Sequence, residues 1–257
     1  MNWDDVIKKA APYVVKIETP AGSGTGYLCT YNDSKSFCIV ATALHVIADA
    51  DAWQQPIRIH NHDFTKTTFL KEDDRVVFRN AKNDSAVILF SPQELGLPET
   101  PIPLRPIDAP LSIGAEIGWL GFPGIEPNTL CFFSGNVSAR REDRRVYFID
   151  GVAINGVSGG PVLYSSQTDG VQFIGVVSAY RANRLTGETL PGLLVAQDVS
   201  HFHEVISKIR SMDEASKKRA ELEATQSTQQ TKDAEPVPEP VGKSATPNEG
   251  TASFRPL

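Results

Sequence analysis

The chain is poor in cysteine, in long apolar runs and in surplus positive charge, and each lack removes a class of protein. Cys29, Cys38 and Cys131 are the only cysteines in 257 residues; a small, odd number does not make a disulfide framework. No stretch approaches the roughly 18 consecutive apolar residues of a membrane span. The formal net charge of −6 argues against generic nucleic-acid binding, which goes with a basic domain. The opening "MNWDDVIKKAAPYVVKIE" carries acids where a secretory leader has a basic end and then an apolar run. Together these absences point to a cytoplasmic protein with no membrane and no nucleic acid among its partners. With 40 % hydrophobic and 22 % charged residues, the composition is that of an ordinary globular protein. A folded part of roughly 200 residues buries about 70 % of its unfolded surface, so no metal or disulfide staple is required.

Cys29 and Cys38 flank the turn "YNDSKS" symmetrically. A hairpin there would set facing Cα atoms about 4.5 to 5.5 Å apart, within disulfide range. In a reducing compartment the preferred reading is two small buried hydrophobes.

Residues 2 to 10 read as a short helix with Asn2 as N-cap and Asp4 and Asp5 in the first turn. From Pro12 to about 197 the chain is a series of short β-rich runs divided by Gly, Pro, Asn and Asp, among them "YVVKIE", "FCIVAT", "AVILF", "EIGWLGF", "VYFID" and "QFIGVVSA". Short strands at close spacing without amphipathic helices between them indicate a sandwich or barrel rather than βαβ units. "LPETPIPLRPIDAP" (97 to 110) carries Pro98, Pro101, Pro103, Pro106 and Pro110; it reads as an extended connector between two β halves. "SHFHEVISKIRSM" reads as a helix with Ser200 as N-cap and Phe202, Val205, Ile206 and Ile209 on one face, prolonged by the charged "DEASKKRAELEA". Beyond about 225 the chain is polar and proline-rich and reads as disordered, either a tether or recognition tail or a dispensable end.

The chemistry rests on "GVSGGPV" (156 to 162). Ser158 there is a turn residue, a nucleophile on the strand–helix elbow of an α/β-hydrolase, or the nucleophile of a G-x-S-G-G-P loop. The elbow needs a helix after the serine and partners in the order Ser, acid, His. Instead "PVLY" continues as a strand, and the downstream histidines, His201 and His203, open the last helix. The third reading requires the order His, Asp, Ser. "ATALHVIADA" supplies His45, "NDSAVILF" supplies Asp84, and Ser158 follows. Asp73 and Asp74, in "KEDDRVVF", compete with Asp84 but read as an exposed hairpin end.

With these three ordered motifs, with "GSGTGYL" before the His segment, and with "GFPG" and "FFSGNVSA" before the Ser loop, the chain resembles a trypsin-like serine peptidase of the chymotrypsin fold. It is most similar to the compact HtrA/Deg branch, over about residues 11 to 200, without that branch's PDZ domain. The resemblance implies an all-β fold of two six-stranded antiparallel barrels with short terminal helices and a disordered tail. It divides the chain into 1–110 (N-terminal helix, first barrel with His and Asp, connector), 111–212 (second barrel with Ser, C-terminal helix) and 213–257 (helical extension and tail).

It also implies an endopeptidase acting on protein or peptide substrates without cofactor or metal: His45 as base, Asp84 orienting it, and the backbone N–H groups of Gly156 and Ser158 as oxyanion hole. Val157 departs from the digestive enzymes, which carry an acid there, so activation by zymogen cleavage is not implied. Val152, Ser178, Ala179, Tyr180 and Gly192 would form the primary pocket. No acid lies at its base, so cleavage after Lys or Arg is not expected; Tyr180 would favour small or medium aliphatic residues. Ser178 is also expected to hydrogen-bond Asp84. Two rival readings are a non-catalytic binding module and a latent protease switched on by an activating protein partner. "HNHD" (60 to 63) has the two-residue spacing of a zinc pair but no further ligands and reads as surface polarity; "RREDRR" (140 to 145) reads as a solvated hairpin tip.

Overall fold

The computed structural model describes residues 2–92, 95–152, 154–182 and 189–233; the side chains of 179–182, 189–192 and 227–233 fall outside the description. Helix α1 (Trp3–Ala10) begins where Asn2 accepts the N–H of Asp4. Acids at its start and Lys8 and Lys9 at its end complement the helix dipole. It buries Val6 and Ala10, and Trp3 packs on Phe132 with ring centroids 5.0 Å apart.

Seven strands follow, β1 (Val14–Thr19), β2 (Gly22–Tyr31), β3 (Cys38–Ala43), β4 (Ile57–Asn61), β5 (Thr67–Leu70), β6 (Arg75–Asn80) and β7 (Ser85–Phe90), with helix α2 (Leu44–Ala52) between β3 and β4. They form one antiparallel sheet in the order β5-β4-β1-β2-β3-β7-β6. β3 is buried throughout, as a central strand covered on both faces must be.

The expected first six-stranded barrel is therefore corrected to an open seven-stranded sheet that curls without closing. β5 and β6, the two edges of the sheet, are joined through the exposed turn Glu72–Asp74, and the Arg75 guanidinium donates to the carbonyls of Leu70, Ala50 and Gln55 at 3.0, 3.2 and 2.8 Å. The second half does close. β8 (Glu116–Gly121), β9 (Cys131–Arg141), β10 (Val146–Asp150), β11 (Pro161–Ser166), β12 (Gly170–Ala182) and β13 (Thr189–Asp198) make a six-stranded barrel in the order β10-β13-β12-β11-β8-β9. Trp119, Ile149, Val162, Val177 and Leu194 fill its core.

The proline-rich connector runs over the second half, where Arg105 N–H bonds Phe173 O at 2.8 Å and Phe173 N–H bonds Pro103 O at 3.0 Å. Tyr13 and Tyr31 tie it to the first half through their hydroxyls, to Thr100 O at 2.6 Å and Pro98 O at 3.0 Å. Helix α3 (Ser200–Asp233) buries Phe202, Val205, Ile206 and Ile209 in the larger core. Its first N–H is served by Asp198, whose carboxylate accepts from Ser200 N at 3.0 Å, and the Ser200 hydroxyl does not cap it. The helix runs past residue 225 to Asp233; residues 234–257 lie outside the description. Two compact units result, Met1–Glu214 and Ala215–Leu257.

Cys29 and Cys38 do not face one another. Leu28 pairs with Val40 and Thr30 with Ile39, so Cys29 sits in a β-bulge while Cys38 faces Tyr31. All three cysteines are free, and burial pushes the thiols of Cys29 and Cys38 far above their ordinary range. No helix among the described residues is long and apolar enough to cross a membrane.

Candidate active site

β3 delivers the chain into α2, and His45 is the second residue of that helix. Ala43, at the N-cap, offers no side-chain cap. The missing acceptor comes from Asp84, 39 residues on: its Oδ1 accepts the backbone N–H of His45 at 3.0 Å, and its main-chain O accepts Leu44 N–H at 3.2 Å. A carboxylate at a helix N-terminus is favoured by the dipole as well as by the orphan donors. Asp84 Oδ2 lies 2.8 Å from His45 Nδ1. A carboxylate only accepts, so His45 Nδ1 is the donor in this contact, and in the neutral ring Nε2 is left as the acceptor.

Asp84 has φ +44°, the left-handed region that Asp tolerates better than most residues. That turn, between β6 and β7, aims its side chain at the helix. From the second half, Ser178 on β12 donates to the same Oδ2 at 2.6 Å. Burial pushes the Asp84 carboxyl up, but the hydrogen bonds from His45 and Ser178 and the attraction of the imidazolium outweigh it, leaving it below the usual Asp value. Asp73 and Asp74 stand apart on an exposed turn, where Asp74 accepts Lys71 N–H at 2.9 Å.

Ser158 lies in the loop between β10 and β11. Backbone bonds from Val157 to Ile154 O (3.1 Å) and Gly160 to Val157 O (2.9 Å) fold the loop, and Gly159 N–H anchors it to Val177 O at 2.7 Å. Val157, where an acid stands in the digestive enzymes, is fully buried in the second core; an apolar plug seats this loop. Gly124 N–H holds Asn155 O at 2.6 Å. In a trans peptide the N–H opposes the C=O, so the Gly156 N–H faces away from Gly124. Gly156 has φ +93°, and a Cβ there would run into Phe122 O.

His45, Gly156 and Ser158 line one cleft of about 270 Å³, with Thr19, Ala21, Gly22, Ser23, Val46, Asp49 and Asn155. Among the described residues, no hydrogen bond joins the Ser158 hydroxyl to the His45 ring. Sequence reasoning missed Gly124 and Asn155, which orient the Gly156 amide, and Thr25, buried beneath the loop; only the quoted "GFPG" and "GSGTGYL" marked their neighbourhoods.

Among the pocket residues, Ser178 is buried and committed to Asp84. Val152 is 55 % exposed and is not part of the lining of this cleft. Ala179 and Tyr180 lie on β12 and Gly192 on β13, with side-chain positions outside the description. His60 has both ring nitrogens engaged, Nδ1 by Thr67 at 2.7 Å and Nε2 by Glu18 at 3.1 Å. Arg140 and Arg141 pair with Glu142 and Asp143 at 2.9 and 2.6 Å, at the β9–β10 hairpin.

Gly159 is the loop's least replaceable backbone. Its φ is +87°, and a Cβ would fall on Thr25 O and Thr42 Oγ1. Gly159→Ala is expected to destabilise the fold by about 3 kcal/mol, from left-handed strain plus overpacking. Urea denaturation checks this; an unchanged midpoint would mean the loop yields at little cost.

Residues 24–176 match the family model described as a trypsin-like peptidase domain. No curated protein matches the chain. Among solved structures, the serine endoprotease from Yersinia pestis is similar over 82 % of this chain and 67 % of its own, at 18 % identity and TM-score 0.59. Deg5 aligns over 78 % of this chain and 90 % of its own, at 20 % identity and TM-score 0.57. An inactive mutant form of Rv3671c from M. tuberculosis H37Rv aligns over 80 % and 90 %, at 21 % identity and TM-score 0.54. These likenesses are likenesses of fold.

Proposed function

Because this chain belongs to the trypsin-like peptidase family, the serine hydrolases of peptide bonds, we propose that it is an endopeptidase working through Ser158, His45 and Asp84. The observation that carries the reading is the carboxylate of Asp84 held 2.8 Å from the ring of His45, which lines the cleft that also holds Ser158. His45 Nε2 takes the Ser158 proton as Oγ attacks the scissile carbonyl. Negative charge gathers on the carbonyl oxygen and is met by the N–H groups of Gly156 and Ser158. His45 then returns the proton to the leaving amine, which departs and leaves an acyl-enzyme. Water, deprotonated by the same ring, hydrolyses the ester.

The substrate is a protein or peptide. Three free cysteines fit a reducing, cytoplasmic setting. A second reading is a latent enzyme that a protein partner activates. It predicts activity only with that partner, lost on removal of residues 213–257.

A fluorophosphonate probe, which reacts with activated serines, is expected to label the wild type and spare Ser158→Ala. Equal labelling of both proteins would refute the assignment.

A further inference from the structure

The residue that locks the Ser158 loop lies in the other half of the molecule. Thr25, on β2, is fully buried and meets the loop with both backbone and side chain. Its N–H donates to Ser158 O at 2.8 Å. Its hydroxyl donates to Gly156 O at 2.8 Å and accepts from Phe122 N–H at 3.0 Å. Its own carbonyl accepts from the Thr42 hydroxyl at 2.7 Å. One side chain thus satisfies a buried carbonyl and a buried amide at once, using the donor and an acceptor site of a single hydroxyl.

We infer that Thr25 is a positioning residue for the oxyanion hole: it clamps the carbonyls of residues 156 and 158, and so fixes the 156–157 and 158–159 peptide planes that flank the amide of Ser158 and follow the amide of Gly156, the two N–H groups that would face the substrate oxygen. The inference rests on the serine-peptidase reading. The geometry gives its logic. A peptide plane turns as a rigid unit, so holding the Gly156 carbonyl fixes the plane that follows Gly156, while the Gly124–Asn155 bond fixes the plane before it. Gly156, with no Cβ and φ +93°, has little steric resistance of its own to turning. The Thr25 hydroxyl serves both Gly156 O and Phe122 N–H. Valine has the same shape and serves neither.

The test compares Thr25→Val with Thr25→Ser, which keeps the hydroxyl, and with Thr25→Ala as the second deletion should valine not fold. Two readouts are taken, steady-state kinetics on a cleaved peptide and amide hydrogen exchange across residues 156–160. Losing one oxyanion donor outright costs about 10²- to 10³-fold in kcat; releasing the Gly156 carbonyl, with the Thr25 N–H still on Ser158 O, is expected to cost about 30-fold in kcat, with KM within twofold. Exchange of the loop amides should quicken by about tenfold or more, and Thr25→Ser should restore both readouts to near wild type. Unchanged kcat in the deletion variants, or equal losses in the serine variant, would overturn the assignment. A wild type that cleaves nothing would sink the peptidase reading instead. The exchange comparison would still decide the clamp, and exchange unaltered by deletion of the hydroxyl would count against it.

Discussion

Ser158→Ala is expected to lower kcat by about six orders of magnitude, the scale set when a nucleophile that acts as a unit with its base is removed, while the melting temperature stays where it is. The two halves of that expectation come from different atoms. The loop is held by main-chain bonds, including Thr25 N–H to Ser158 O and Gly159 N–H to Val177 O, and by the buried Val157. Among the described residues the Ser158 hydroxyl itself bonds to nothing, so deleting it leaves no orphaned partner. Peptide hydrolysis followed against temperature-scanned unfolding separates the two effects. A variant retaining more than a trace of activity would place the nucleophile elsewhere, and a fall of several degrees would make Ser158 a structural residue.

Asp84→Asn is expected to cost about 10⁴ in kcat, for a reason the hydrogen bonds spell out. The carboxylate receives His45 N–H, His45 Nδ1–H and the Ser178 hydroxyl. An amide has a single acceptor oxygen to offer these donors. If its NH₂ turns to His45, the ring must accept at Nδ1 and carry its proton on Nε2, the wrong face for a base. The same change alters stability with pH. The Asp84 carboxyl is held below its ordinary value, so the stabilisation it contributes is present above about pH 4 and is lost as pH falls through the lowered, folded-state value. The stability difference between wild type and Asp84→Asn should therefore shrink as pH falls below about 4. A difference that grew below about pH 4 would reverse the sign of the argument.

Much of this was legible from local pattern. Short alternating strands, the proline-rich connector and the N-capped first helix follow from side-chain periodicity and backbone preference, and each has its counterpart in the structure. The order His, Asp, Ser was legible too, because each residue sits in a stretch whose composition announces a turn or a strand end. The seam of the first sheet was not. Whether seven strands close depends on how one edge meets the other, and here β5 and β6 stay unpaired edges. Nor was the offset of Cys29 and Cys38 legible, since a bulge shifts register by one residue and leaves little trace in composition.

Composition and the spacing of motifs, acting alone, decided that this chain is a β protein, and they put a serine, an imidazole and a carboxylate in an order known for peptide hydrolysis. Tertiary structure decided what those groups can do to one another. It turned Asp84 into the cap of α2 and the partner of His45, brought Ser178 across from the other half, and set Thr25 beneath the Ser158 loop. Such contacts join residues 39 to more than 130 positions apart. Propensities act between near neighbours along the chain, whereas hydrogen bonds between distant segments exist only once both halves have folded and met.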